Sequence, residues 1–284
     1  MIRPVIDMRS RPSFLHDFYG ATPGTPSFEV VRWLNRRVGS RDPDHFTRSV
    51  DVAAFTAEIR EAGITRAVVV GRDTPSVRHT NDEVHALVAG HPELVGLGSV
   101  DVDALGPAAI ADEVARAVKT LGLRAINLEP GWLAPPRPVD HPSLMPAYEA
   151  CAALGVPVCL MSGPTAPSLD DVRPAAVGRV ARAFPTLRIV CYHGFYPFVN
   201  EMVGVALLHD NVFVVADMYI FSPGGRLYVE AANGFMADQL LFGSSYPFRP
   251  MRQSLDDYLA LGLRDDVLPK VLHDNAARVL GLAA

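Results

Sequence analysis

The stretch AVVVGRDTPSVRHTNDEVHALVAGHPELVGLGSV (Ala67–Val100) sets the pattern for the whole chain. A β-branched run, Ala67–Gly71, gives way to polar, proline-bearing chain, then to the helical period of Asn81–Gly90, then to a second apolar run, Val95–Val100. Apolar runs bounded by turn residues suit strands covered on both faces, and a helix between two such strands makes them parallel neighbours. The alternation continues in both directions. Strands are expected at Val5–Arg9 upstream and at Ala125–Glu129, Pro157–Met161, Arg188–His193, Val212–Asp217 and Gln239–Ser244 downstream, eight in all. Helices are expected at Val52–Ala62, Pro107–Leu121, Leu144–Leu154, Val172–Phe184, Pro197–Leu208, Gly225–Phe235 and Leu255–Gly262, with one more near the C-terminus. Eight βα units predict an α/β fold, one TIM barrel domain over residues 1–284, and that length suits an architecture that needs about 250 residues.

A hydrophobic share of 49% with 20% charged residues describes a compact chain rather than a disordered one. The net charge of -5, with no strip of Lys and Arg, speaks against a nucleic-acid partner. No apolar run reaches the roughly 20 residues of a membrane span, and the opening MIRPVIDMRSRP lacks the apolar core of a signal peptide. Three cysteines, Cys151, Cys159 and Cys191, are too few and too irregular for a disulfide framework, so a reducing cytoplasm is expected. One connection is long. Ser10–Ser49 carries Pro12, Pro23, Gly24, Pro26, Gly39 and Pro43 around a helix at Phe28–Arg37, and it reads as a lid-like insertion after the first strand.

Four segments carry a family likeness: NDEVHALVAGHPELVGLGSVDV (Asn81–Val102), RIVCYHGFYPFVNEM (Arg188–Met202), LLFGSSYPF (Leu240–Phe248) and VLHDNAARVLGL (Val271–Leu282). In order and spacing the chain resembles the amidohydrolase-related family of metal-dependent hydrolases and decarboxylases. The resemblance implies a barrel with a divalent metal at the strand ends, held by a first-strand Asp-x-His-x-His, a fifth-strand His, a sixth-strand His and an eighth-strand Asp. Here the first strand reads Asp7-Met8-Arg9-Ser10-Arg11, Met161 ends the fifth strand, and Ser245 replaces the eighth-strand Asp. His193 alone remains. Arginine has no lone pair to give a metal, and a thioether is a poor ligand for hard or borderline ions. No catalytic metal and no other cofactor is therefore expected.

Two guanidinium groups where a dication would sit keep the mouth positive, so Arg9 and Arg11 are expected to hold an anionic substrate or a developing oxyanion. The alternative is that they pair with Asp7, Asp217 or Glu129 to brace the barrel. His193 is the candidate general acid or base. Glu129 is placed to orient it, to act as a second carboxylate, or to form an ion pair with Arg9. Ser245 is a candidate nucleophile, with simple hydrogen bonding as the alternative. Arg72, Met161, Tyr196, Asp217 and Tyr246 are expected around the substrate, with further aromatic surface from Trp132, Tyr192, Phe195 and Tyr219. Cys159 and Cys191 are expected as packed thiols facing the barrel interior. The expected activity is metal-independent hydrolysis of a small organic acid, lactone or amide. Nonoxidative decarboxylation of an aromatic or unsaturated carboxylate comes second, and a non-catalytic barrel binding an acidic ligand or a protein partner third. A homodimer is expected through the outer helices.

Overall fold

The computed structural model describes residues 4–282. Eight parallel strands follow one another around the sheet: β1 (Ile6–Ser10), β2 (Arg66–Val70), β3 (Leu94–Ser99), β4 (Ile126–Leu128), β5 (Val158–Leu160), β6 (Ile189–Tyr192), β7 (Val212–Val215) and β8 (Leu240–Leu241). The seam between β8 and β1 is also hydrogen bonded. Met8 N donates to Phe242 O at 3.0 Å, Ser245 N to Arg9 O at 3.0 Å and Arg11 N to Tyr246 O at 2.9 Å, which makes the sheet a (β/α)8 TIM barrel.

Asp7 locks this seam. Its carboxylate accepts from the Ser244 amide (2.8 Å), the Ser244 hydroxyl (2.5 Å) and the Arg9 amide (3.0 Å). Complete burial raises Asp7 to about 6, against the pull of those donors.

Two apolar layers divide the interior. Met8, Val70, Leu97, Met161, Tyr192 and Val215 belong to the cluster inside the barrel. Val69, Leu160, Cys191 and Val214, their neighbours along the strands, join the layer beneath the helices. This alternation is the period-two pleat of a strand buried on both sides. The expectation that both thiols face inward is corrected by it: Cys159 lies in the inner cluster and Cys191 in the outer layer. The helix Asn275–Leu280 sends Ala276, Val279 and Leu280 into the inner cluster, where it closes the N-terminal end of the barrel beside Arg124, Pro157 and Arg188.

Helix boundaries follow local chemistry. Thr25 caps the helix Pro26–Arg37, and a Thr80–Glu83 capping box starts Asn81–Val88. The helix expected at Leu255–Gly262 is shifted upstream to Met251–Leu259, because it begins directly after Pro250, whose fixed φ suits a helix entry. An antiparallel hairpin, Arg72–Thr74 with Val77–His79, occupies chain read from the sequence as plain connection. The long segment after β1 holds short helical turns at Ser13–Leu15, Asp17–Tyr19 and His45–Thr47 around the Pro26–Arg37 helix.

Candidate active site

The C-terminal strand ends converge on a cavity of about 50 Å3, room for a few water molecules. Arg9, Arg11, Arg72, Glu129 and His193 give it a polar lining, with Met161, Trp132 and Tyr219 beside them. Phe18, Tyr19 and Leu34 from the segment after β1, with Phe248, roof it over.

Backbone irregularities aim these side chains. Ile6 and Met8 point into the barrel, so unbroken alternation would turn Arg9 and Arg11 away from it. A bulge between Asp7 and Ser10 shifts the pairing of β1 with β2, and both arginines then line the cavity. On β6 the inward residues are Val190 and Tyr192, which would send His193 outward with Cys191. His193 instead adopts φ 57°, Gly194 φ 56° and Phe195 φ 53°, a left-handed turn that swings the imidazole to the mouth. Tyr228 holds this turn: its hydroxyl donates to Gly194 O, and a Cβ on Gly194 would stand 2.8 Å from that hydroxyl. Asp217 (φ 39°) and Ser245 (φ 64°) are left-handed too. Such backbone costs about 1–3 kcal/mol per residue and persists where the surroundings over-determine it, which is common at functional sites.

His193 Nδ1 lies 3.0 Å from Asp217 Oδ1 and 2.8 Å from Oδ2. A carboxylate can only accept, so Nδ1 carries the hydrogen of this contact, and Nε2 is the ring nitrogen that Asp217 does not engage. Tyr219 meets the imidazole edge to face at 5.2 Å, and Tyr196 stacks behind Tyr219 at 4.8 Å. Gly163 passes under the ring, where a Cβ would lie 3.3 Å from His193 Cδ2.

Glu129 is placed otherwise than expected. It is clamped between Arg11, which pairs with Oε1, and Arg72, whose Nε is 3.1 Å from Oε2. Asn127 Nδ2 adds a donor to Oε1 at 3.0 Å. Burial alone would raise Glu129, but the charges of Arg11 and Arg72 bring it down to about 2. Glu129 is thus a buried ionic bridge, and Asp217 takes the position beside His193. Arg11 is consumed by this bridge and by the carbonyls of Val70 (2.9 Å) and Gly71 (3.1 Å).

Arg9 is different. It is 1% exposed, and its Nε and Nη1 have no hydrogen-bond partner. Burial, with Arg11 beside it, lowers Arg9 to about 10, so it stays protonated at neutral pH. Ser245 does not line the cavity; its hydroxyl is buried and unpartnered, and its amide is used in the seam. Tyr246 also lies away from it, with its ring against His45 (5.3 Å) and Phe55 (5.6 Å). Phe18, Tyr19, Leu34 and Phe248 were not foreseen as lining residues. For the first three the one sequence signal was the length of Ser10–Ser49, which marks a covering segment without naming its contacts; Phe248, after β8, had none.

A family model described as amidohydrolase matches residues 35–282, and the chain belongs to that family. Among solved structures, an uncharacterized TIM-barrel protein from Bordetella bronchiseptica is 30% identical, with 98% of each chain covered and a TM-score of 0.86. A dihydroxybenzoic acid decarboxylase from Polaromonas sp. JS666, with bound manganese and 2-nitroresorcinol, is 17% identical over 98% of this chain and 97% of its own, at a TM-score of 0.68. A probable 2-pyrone-4,6-dicarboxylic acid hydrolase from Acinetobacter baumannii, with citric acid bound, is 15% identical over 98% and 99%, at 0.63. No curated protein matches.

The donor set of this chain does not fit a divalent metal. Among the described residues no three His, Cys, Asp or Glu side chains gather into a metal-holding group. His193 Nδ1 is turned to Asp217, and the buried cations Arg9 and Arg11 line the cavity, where they repel a dication and offer it no lone pair.

Proposed function

We propose that the protein is a metal-independent hydrolase of a small lactone, ester or amide. What carries this reading is that the imidazole of His193, oriented by Asp217, shares one cavity with the unpartnered N–H groups of Arg9. His193 Nε2 takes a proton from water as the water oxygen bonds to the carbonyl carbon. Arg9 meets the negative charge that develops on the carbonyl oxygen, the electrostatic task a metal performs elsewhere. As the intermediate collapses, the bond to the leaving oxygen or nitrogen breaks, and His193 returns its proton to that atom. Asp217 steadies the imidazolium between the two transfers.

A second reading, decarboxylation, is favoured by the aromatic lining, since Tyr19, Trp132 and Tyr219 suit a flat acid. There His193 would protonate the ring carbon that loses CO2. A panel of lactones, esters, amides and hydroxybenzoates separates the two. Turnover of a lactone, ester or amide by the wild type, abolished in His193→Ala, supports hydrolysis; CO2 release from a benzoate with no hydrolytic turnover overturns it.

A further inference from the structure

Two cations of the cavity are left with N–H groups that bind nothing. Arg9 has Nε and Nη1 in this state, and Arg72, 4% exposed, has Nη2. A buried donor without an acceptor carries the full cost of leaving water, more for a charged group than a neutral one. Arg11 shows what satisfaction looks like here, with Glu129 and two carbonyls taking its N–H groups.

The two free ends stand in different surroundings. Arg9 rises from β1 and feels the charge of Asp217, the partner of His193. Arg72 starts the hairpin, is anchored through Nε to Glu129 and Thr74, and faces the rings of Phe18 (5.0 Å) and Trp132 (5.9 Å). A guanidinium fixed at one edge and stacked on aromatic rings presents its remaining N–H in one direction, as a carboxylate receptor does. In the hydrolytic reading Arg9 is engaged with the reacting carbonyl, so Arg72 is free for a second group.

We propose that Arg72 is a subsite for a carboxylate carried by the substrate remote from the bond that breaks. The substrate class is then a carboxylated lactone, ester or amide, and this deepens the hydrolytic reading on which it rests. Hydrolysis of a carboxylated lactone adds water across the ring C–O bond and yields a hydroxy-dicarboxylate. The new carboxylate lies at Arg9 and the old one at Arg72. Dicarboxylates are accordingly product analogues that span the cavity, once the roof of Phe18, Tyr19 and Leu34 has moved to admit them.

The test is binding, so it stands apart from turnover. Calorimetry on the full chain compares isophthalate with benzoate and glutarate with butyrate. The wild type is expected to favour the diacid of at least one pair by about ten-fold or more, the effect of one added charge-assisted contact. Arg72→Gln is expected to reduce that preference to under about two-fold while the monoacid still binds, and Arg72→Lys to restore part of it. If the wild type shows no diacid preference in either pair, whether both acids bind or neither does, the subsite is overturned. A preference that survives Arg72→Gln overturns it as well. Diacid preference without any hydrolysis would retain the subsite and sink the hydrolase; lactone hydrolysis without diacid preference would do the reverse.

Discussion

His193 and Asp217 sit at the ends of adjacent strands, Nδ1 to Oδ1 at 3.0 Å, and both hold left-handed backbone, φ 57° and 39°. Neither residue is glycine, so the chain accepts strain twice to bring this pair together. That combination supports the proposed placement of the chemistry at this pair more firmly than the identity of either residue does.

Asp217→Asn tests the pairing. An amide can hold the ring in place yet favour the wrong tautomer, so kcat is expected to fall by about 10^2–10^4-fold while KM moves little. An equal rise in KM with kcat unchanged would show that Asp217 serves binding and does not position His193.

Gly163→Ala tests the support under the imidazole. The new Cβ would lie 3.3 Å from His193 Cδ2 at a backbone φ of 144°, which L side chains rarely adopt. A loss of about 1–3 kcal/mol in urea unfolding is expected, together with a lower kcat. Wild-type stability and rate in this variant would show that the ring does not depend on the glycine.

Glu129→Gln tests the ionic bridge. Removing the carboxylate strands Arg11 and Arg72 as buried charges, and a destabilisation of about 3–5 kcal/mol is expected. The pH dependence follows from the folded-state value of about 2, below the ordinary 4.5. Stability from this group is complete above about pH 4.5 and is lost as pH falls towards 2, an amount on the order of 3 kcal/mol. Denaturant midpoints between pH 7 and pH 3 should fall less steeply in Glu129→Gln than in the wild type; parallel curves would refute the assignment.

Chelation tests the independence from metal. Activity found with the substrate panel is expected to survive dialysis against EDTA, and elemental analysis is expected to find divalent metal far below one per chain. Loss of activity on chelation with recovery on added manganese or zinc would overturn that part of the reading.

The barrel was legible because the strands are buried on both faces: Ala67–Gly71 and Val95–Val100 are apolar throughout, whatever their contacts. Arg9, Arg11, Met161 and Ser245 stood out in the sequence only as departures from the pattern that the resemblance implies. Their directions were not legible. The bulge after Asp7 and the turn at His193 each change which way a side chain points; the bulge has no residue signature, and Gly194 marks the turn without saying where the imidazole goes. Glu129 was left open between orienting His193, acting as a second carboxylate and pairing with Arg9; it pairs with Arg11 and Arg72, and Asp217 lies beside His193, because strand ends reveal which residues are near one another, while ion pairing depends on angstrom-scale positions. Tyr246 was assigned to the substrate from its place after β8; it packs against His45 and Phe55 on the far side.

The roof of Phe18, Tyr19, Leu34 and Phe248 has a consequence for timing. The space that they help to line is about 50 Å3, too small for a substrate, so binding requires lining side chains to move. In the proposed hydrolysis each turnover would need such a movement twice, for entry and for release, and motions of this kind fall in the microsecond-to-millisecond range that limits many enzymes. If traffic sets the clock, kcat will decline as sucrose thickens the solvent, and trimming Phe18 to alanine will relieve that dependence; a kcat indifferent to viscosity would place the slow event in bond breaking.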